Sequence, residues 1–259
     1  NQAANVNHAD RGSVKESFLD AIRIPLARLV TTERCLACGG PADAPHPLCD
    51  RCAESIFASR AAESLQSTGP DARCDRCGRS LISAVGRCRA CRESDVLARV
   101  DRVVALFPYV GLGPRLVRAW KTAGYRSLAA VWARCLASVL AAPPLAGIPV
   151  VPVPPRPGKL ARKGWDQVED LARRVEECRL APVLRALERR AVVEQKGLGR
   201  AERRRNIGGM IAVSRGAQIP RRVIVLDDVM TTGSTLDACA DALKEAGVDE
   251  VYGLVLFFD

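Results

Sequence analysis

Short apolar runs alternate with amphipathic segments between residues 102 and 258 of the chain. The apolar runs predict buried strands at residues 102–110, 148–153, 223–226 and 250–258. Apolar residues at helical spacing predict helices at residues 127–140, 166–178 and 236–246, and a helix or a turn at 113–123. Strands that alternate with helices imply a parallel sheet with right-handed crossovers. We therefore predict an α/β fold with a parallel sheet flanked by helices.

An acidic pair and a loop of small residues follow the third apolar run. Asp227 and Asp228 come directly after Leu226, and the loop Thr231–Thr235 precedes a predicted helix. Open α/β sheets place ligands at the carboxyl ends of their strands. Backbone N–H groups and hydroxyls at the start of a helix suit a phosphate, and two carboxylates suit sugar hydroxyls, a Mg²⁺ ion, or both. The alternative is an ordinary strand–turn–helix, because Thr, Gly and Ser also favour turns and helix caps.

The segment Val223–Thr235 resembles the phosphoribosyl-pyrophosphate (PRPP) signature of type I phosphoribosyltransferases, which has four apolar residues, two acidic residues and a T-T-G-[AS]-T loop. The resemblance implies a PRPP site with Mg²⁺ in which Asp227 and Asp228 are the catalytic candidates and contact the ribose hydroxyls. It also implies that the loop wraps the 5′-phosphate. The loop residues in question are Met230, Thr231, Thr232, Gly233, Ser234 and Thr235.

Two basic segments could hold a pyrophosphate, which needs several donors and positive charge. The loop 156–164 follows a strand that exits through three prolines, and the glycine-containing segment 195–209 has the composition of a mobile flap. A solvated basic loop and a surface linker are the alternative interpretations. The candidate PRPP-binding cations are Lys121, Arg156, Arg162, Lys163, Arg203 and Arg204.

Eight of the eleven cysteines form four C-x-x-C pairs before residue 100. Each pair can present two thiolates to one tetrahedral ion, so two pairs complete a closed Cys₄ site, and we predict two structural Zn²⁺ ions. A disulfide framework is the alternative, but the short loops argue against it. Pairing of first with second and third with fourth, or a cross-braced arrangement, both fit the spacing. The predicted ligands are Cys35, Cys38, Cys49, Cys52, Cys74, Cys77, Cys88 and Cys91. The three solitary cysteines, Cys135, Cys178 and Cys239, are predicted core residues.

The distribution of charged and apolar residues predicts the kind of ligand and the location of the protein. The net charge of +10 is concentrated in residues 100–222, whereas residues 223–259 are acidic, so the basic middle suits pyrophosphate or a nucleic-acid backbone. No charge-free apolar stretch predicts a membrane span, and residues 1–19 lack the order of a signal peptide, which predicts a cytoplasmic protein. The predicted organisation is a flexible leader at 1–19, a double zinc module at 20–99 and a phosphoribosyltransferase-like domain at 100–259.

Together these segments resemble the ComF family of zinc-finger phosphoribosyltransferase-like proteins, which is named for bacterial competence. Besides the cysteine array and the PRPP loop, the matching segments are RAWKTAG around Lys121, VPVPPRPGKLARKGWDQVEDLA, and QKGLGRAERRRNIGG. Lys163 and Asp166 depart from the family's R-G-F-N-Q pattern. The lysine loses a bidentate fork, and Asp166 adds a negative charge near the predicted pyrophosphate site.

Three functions follow from this resemblance. The first is Mg²⁺-dependent phosphoribosyl transfer to an acceptor that the sequence does not identify, with release of pyrophosphate. The second is a non-catalytic accessory role in uptake of single-stranded DNA, with competence proteins as partners, although stacking aromatics are sparse. The third is a regulator that senses PRPP without turnover. An oligomer is compatible with all three.

Overall fold

The computed structural model describes residues 34–42, 46–58, 73–79, 81, 86–93, 97–190 and 211–259. The chain divides into two compact units, residues 1–56 and residues 57–259. The predicted leader and the predicted flap, with Arg203 and Arg204, lie outside the described residues. The predicted domain boundary between residues 99 and 100 stays a prediction.

The described residues form seven helices and six strands. The helices are α1 (Asp50–Ala58), α2 (Arg89–Glu93), α3 (Gly113–Lys121), α4 (Leu128–Ala141), α5 (Lys159–Lys163), α6 (Gln167–Glu177) and α7 (Ser234–Glu245). The strands are β1 (Arg102–Pro108), β2 (Val150–Pro152), β3 (Leu187–Arg189), β4 (Ile211–Val213), β5 (Arg222–Met230) and β6 (Glu250–Phe258).

Four strands form one sheet in the order β1-β6-β5-β2, and every neighbouring pair is parallel. This arrangement confirms the predicted α/β class with a parallel sheet. The sequence placed the end of β5 at Leu226, but the strand continues to Met230. Backbone pairing explains the difference, because Asp227 pairs with Val255 and Met230 with Phe258 in β6. The acidic pair therefore lies within the strand and not after it.

Alternate residues of a strand point to opposite faces of the sheet. Both faces carry buried apolar residues, and helices cover both. On one face, Val103, Val225 and Val251 share an apolar cluster with Leu236 and Leu243 of α7. On the other face, α6 contacts β2 and β5 and packs against α4. Residues of α3 and α4 add an aromatic group to the core: Trp120 and Trp132 are fully buried, and the Trp132 ring meets the Phe257 ring edge-on at a centroid distance of 5.4 Å.

Two local features depart from the sequence prediction. The predicted loop 156–164 contains the short helix α5, which is bounded by Gly158 and Gly164 in the left-handed conformation. A two-stranded antiparallel sheet was not predicted. Its strands, β3 and β4, come between β2 and β5 in the sequence. Three-residue strands give too short a pattern to read from sequence.

The solitary cysteines divide between the core and the surface. Cys135 and Cys239 are fully buried, as predicted. The prediction for Cys178 was wrong, because this residue is exposed. It is the C-cap residue of α6, and its backbone N–H donates to the Arg174 carbonyl at the end of the helix. Among the described residues, no helix combines the length and apolar character that a membrane crossing requires.

Candidate functional site

The two carboxylates near the end of β5 occupy different environments. Asp228 is buried, and its Oδ1 lies 2.8 Å from the Lys121 ammonium while its Oδ2 accepts a 2.6 Å hydrogen bond from the Gln167 side chain. Asp227 is partly exposed, and its Oδ1 accepts a 2.8 Å hydrogen bond from the backbone N–H of Asp228. The sequence predicted one role for the pair, whereas the contacts assign Asp228 to a network and leave Asp227 as the more accessible carboxylate.

The network around Asp228 continues through the amino terminus of α6. The Lys159 ammonium donates to both Gln167 and Asp166. Asp166 caps α6 by accepting hydrogen bonds from the backbone N–H groups of Val168 and Glu169, at 2.8 and 3.1 Å. Buried charges need partners, and this chain of alternating cations and acceptors supplies them.

The small-residue loop turns directly from β5 into α7. Gly233 is the N-cap residue of α7 and has a φ of +76°, a conformation that residues with a Cβ rarely adopt. The hydroxyl oxygens of Thr232 and Ser234 lie 2.8 Å apart within the loop. Met230, which precedes the loop, is buried in the apolar cluster beneath the sheet. The loop thus presents hydroxyls and a helix amino terminus at one end of β5.

A cleft of about 400 Å³ lies at this end of the sheet. Six of the predicted site residues line it: Lys121, Arg156, Asp227, Asp228, Thr231 and Thr235. Four further polar residues line it. Lys159 belongs to the basic loop predicted for pyrophosphate and Asp166 was expected near it, whereas Gln167 and Arg189 were not predicted as site residues. The residues Met230, Thr232, Gly233, Ser234, Arg162 and Lys163 are not among its lining residues. The cleft therefore combines carboxylates, hydroxyls and cations in one space.

Arg189 lines the cleft but was not predicted as a site residue. It ends β3, 38 positions before Asp227, and its Nε donates a 2.9 Å hydrogen bond to the Pro154 carbonyl. That bond ties the guanidinium to the proline-rich strand exit on the cleft wall. No signal in the sequence distinguishes it from the neighbouring Arg190, because a tertiary contact with Pro154 holds it at the cleft.

Burial, and after it the nearby Asp228 carboxylate, raises the pKa of Asp227 to about 7. The backbone N–H of Asp228 and the positive charges of Lys121 and Arg189 act in the opposite direction. The carboxyl group therefore changes charge close to neutral pH, and an added cation or hydroxyl donor would favour its ionised form.

The eight C-x-x-C cysteines form two Cys₄ groups, Cys35/Cys38/Cys49/Cys52 and Cys74/Cys77/Cys88/Cys91, with the four sulfurs of each group within 4.8 Å of one another. The first pair thus joins the second, and the third joins the fourth. A tetrahedral zinc ion with bonds of about 2.3 Å would separate its sulfurs by roughly 3.8 Å. The Cys38–Cys49 and Cys77–Cys88 sulfurs are 3.8 and 3.7 Å apart, so both groups could bind zinc.

Backbone amides favour the thiolate form at one cysteine of each group. Burial acts to raise the pKa of Cys35, but N–H groups of Cys38, Cys49 and Ala37 outweigh it and lower the pKa to about 6. The same balance lowers the pKa of Cys74 to about 7. Thiolate is the metal-binding form, so Cys35 and Cys74 favour a cation, whereas burial raises the pKa of Cys52, Cys77 and Cys91.

Two curated proteins are similar to part of the chain. No family model matches the chain. Competence protein F of Haemophilus influenzae is 33% identical over 106 residues, which cover 39% of this chain and 46% of that protein. Competence protein ComFC of Streptococcus pneumoniae is 31% identical over 103 residues, which cover 39% of this chain and 44% of that protein. Over these matched stretches the chain is similar to the two competence proteins. The matched residues span less than half the length of these curated relatives.

The structure explains the two departures from the ComF pattern. Lys163 donates to the Lys121 carbonyl and lies 4.0 Å from the centre of the Trp165 ring, so this cation supports the segment that carries Lys121. Burial lowers the pKa of Lys163, and the charges of Lys159 and Lys121 lower it further. Asp166, which replaces the asparagine of the ComF pattern, keeps the capping role and compensates its charge with Lys159.

Proposed function

We propose that the cleft binds PRPP together with Mg²⁺, and that the protein transfers the phosphoribosyl group to an acceptor with release of pyrophosphate. One observation carries the proposal: the Asp227 carboxylate, the Thr231 and Thr235 hydroxyl residues and the cations Lys121 and Arg156 line the same cleft. A sugar carrying a phosphate at one end and a pyrophosphate at the other needs all three kinds of group.

The residues divide the proposed ligand between them. Backbone N–H groups and hydroxyls of residues 231–235 hold the 5′-phosphate, because a helix amino terminus favours an anion. Asp227 accepts hydrogen bonds from the ribose hydroxyls. Arg156, Lys159 and Arg189 neutralise the pyrophosphate from the cleft wall. Carboxylate and hydroxyl oxygens also fit Mg²⁺, which would supply charge neutralisation of the leaving group.

The proposed transfer is a substitution at C1 of the ribose. The bond from C1 to the pyrophosphate oxygen breaks, the electron pair leaves with pyrophosphate, and the acceptor's nucleophilic atom forms the new bond to C1. The protein contributes position and electrostatic stabilisation, because cations fixed where negative charge develops need no reorganisation during the step.

A second candidate is a role in DNA uptake, which the names of the two competence relatives favour. In this role the chain handles single-stranded DNA with other competence proteins in the cytoplasm, where C-x-x-C thiols stay reduced. PRPP then serves as a signal or a cosubstrate. A separate test of this role measures the affinity for a single-stranded oligonucleotide by fluorescence anisotropy at two salt concentrations.

Calorimetric titration of PRPP with Mg²⁺ tests the first proposal. The zinc-loaded wild type should bind saturably, and Asp227→Asn should bind at least about tenfold more weakly, which corresponds to about 1.4 kcal/mol. Glu245→Gln is the matched control, because it removes one exposed carboxylate at the far end of α7. Absence of saturable heat in the wild type, or equal affinity in Asp227→Asn, would contradict the proposal.

A further inference from the structure

The second cysteine group, Cys74/Cys77/Cys88/Cys91, is part of the same core as the sheet. Cys74, Cys77 and Cys91 are buried in the apolar cluster that includes strand residues of β1, β5 and β6. The backbone N–H of Val103 in β1 donates a 2.7 Å hydrogen bond to the Arg76 carbonyl, in the turn between Cys74 and Cys77. Gly78 makes this approach possible, because a Cβ there would lie 2.7 Å from the Val103 carbonyl oxygen.

Residues 97–99, which come between this group and β1 in the sequence, contact the small-residue loop and α7. Leu97 in this segment is buried, and a Cβ on Gly233 would lie 2.5 Å from its Cδ2 atom and 2.8 Å from its Cγ atom. The isobutyl group of Leu97 therefore occupies the space that the missing side chain of Gly233 leaves. Leu97 also has a φ of +61°, which is costly for a leucine and persists only where the surroundings hold it.

The next residues attach the same segment to α7. The backbone N–H of Arg99 donates a 2.7 Å hydrogen bond to Asp237, in the first turn of α7. The Arg99 side chain lies 2.8 Å from the Asp241 carboxylate, one turn further along the helix. On the other side, the Arg76 guanidinium donates a 3.1 Å hydrogen bond to the Ala98 carbonyl. Residues 97–99 are thus fixed both to the cysteine group and to the helix that begins at the loop.

We propose that Leu97 is a positioning residue for the phosphate loop, and that metal binding at the second cysteine group sets the shape of that loop. The inference rests on the proposed function for the identity of the ligand. Four thiols in a shared core hold one arrangement when a zinc ion bonds to them, whereas without the ion the turn at Arg76 loses its covalent anchor. Leu97 then no longer presses on Gly233, and the backbone N–H groups of residues 231–235 lose their fixed direction towards an anion.

The first experiment compares Leu97→Ala with Leu243→Ala. Both leucines are fully buried in the same apolar cluster, but Leu243 lies near the other end of α7, so it controls for the general loss of packing. The probes are ribose 5-phosphate, which needs the loop, and pyrophosphate, which needs the cations of the cleft. We expect Leu97→Ala to weaken ribose 5-phosphate about tenfold more than it weakens pyrophosphate, and Leu243→Ala to affect both equally. Equal effects of Leu97→Ala on both probes would overturn the inference.

Hydrogen exchange of the amides of residues 231–235 supplies a readout that needs no ligand. We expect faster exchange in Leu97→Ala than in Leu243→Ala, and faster exchange in Cys88→Ser, which damages the second group, than in Cys38→Ser, which damages the first. Unchanged exchange in Leu97→Ala and Cys88→Ser would overturn the inference. If the wild type binds neither probe, the proposed function fails, and the exchange rates alone then decide whether Leu97 positions the loop.

Discussion

The Lys121 ammonium forms a 2.8 Å ion pair with Asp228, so two residues that the sequence assigned to ligand binding bind each other. The Asp228 side chain is 5% exposed, and its second oxygen accepts a hydrogen bond from Gln167. Asp228 would have to give up these partners to bind a ligand, which would leave a buried carboxylate unpaired. We therefore assign the direct contact with the ribose to Asp227, whereas Asp228 holds Lys121 and Gln167 at the cleft.

A double-mutant cycle tests this ion pair. Lys121→Met leaves a buried carboxylate without its cation, and we expect the free energy of unfolding to fall by about 2 to 3 kcal/mol. Asp228→Asn keeps a hydrogen-bonding group, so its cost should be smaller. Because the two residues contact each other, the double variant should lose at least about 1 kcal/mol less than the sum of the single losses. Urea denaturation measures all four proteins, and simple additivity would show that the pair does not interact in solution.

Asp227 predicts a pH dependence of stability. Burial and Asp228 raise the pKa of Asp227 from 3.8 to about 7, so the folded protein binds a proton more tightly than the unfolded chain. The stability that this proton contributes is complete below pH 3.8 and is lost as the pH rises through 7. Asp227→Asn has no carboxyl group to ionise, so its stability does not fall with rising pH for this reason. The stability advantage of Asp227→Asn over the wild type should therefore grow by about 2 kcal/mol between about pH 5.5 and pH 8.

Denaturation of both proteins across this range, with Glu245→Gln as the control, checks the sign. The advantage of Asp227→Asn should level off above the pKa of about 7, because Asp227 is then ionised in both states. A constant difference between Asp227→Asn and the wild type at all pH values would mean that the carboxyl group titrates normally.

Asp166 predicts a separation between stability and anion binding. Asp166→Ala removes the cap of α6 and the partner of Lys159, so it should cost about 2 kcal/mol of stability. Asp166→Asn keeps the cap and frees Lys159, so it should cost less than about 1 kcal/mol and bind pyrophosphate several-fold more tightly. Titration of pyrophosphate into both variants measures the effect. Weaker pyrophosphate binding in Asp166→Asn would show that Lys159 does not serve the ligand.

Strong, local patterns predicted much of this fold. The strand at residues 250–258 has the bounds that its apolar run indicated, and the helix predicted at 166–178 differs from α6 by one residue at each end. Buried parallel strands and amphipathic helices have continuous patterns, which explains the agreement. The predicted end of β5 was wrong, because two adjacent aspartates break the apolar run while backbone pairing with β6 continues past them.

The cleft could be predicted only where its residues lie near a motif. Asp227, Thr231 and Thr235 belong to one contiguous signature, so the sequence identified them together. Arg189 comes to the cleft through tertiary contacts, and Lys159 through a short helix between two left-handed glycines. The network that links Lys159, Gln167 and Asp228 depends on side-chain contacts between distant elements, which a single sequence does not encode visibly.

Metal content should separate the two cysteine groups. Purified wild type should hold two zinc ions per chain, and Cys35→Ser and Cys88→Ser should each hold one. Because the second group shares the core of the sheet, Cys88→Ser should also lower the unfolding temperature reported by the buried Trp120 and Trp132. Metal analysis and tryptophan fluorescence during heating measure both effects. Two zinc ions in either variant would contradict the assignment of ligands.

A crystal structure of the zinc-loaded protein grown with PRPP and Mg²⁺ tests the central claim most directly. We expect density for the 5′-phosphate against the backbone N–H groups of residues 231–235, for the ribose hydroxyls against Asp227, and for the pyrophosphate near Arg156 and Arg189. Density for PRPP elsewhere on the protein, or an empty cleft at ligand concentrations that saturate binding in solution, would contradict it.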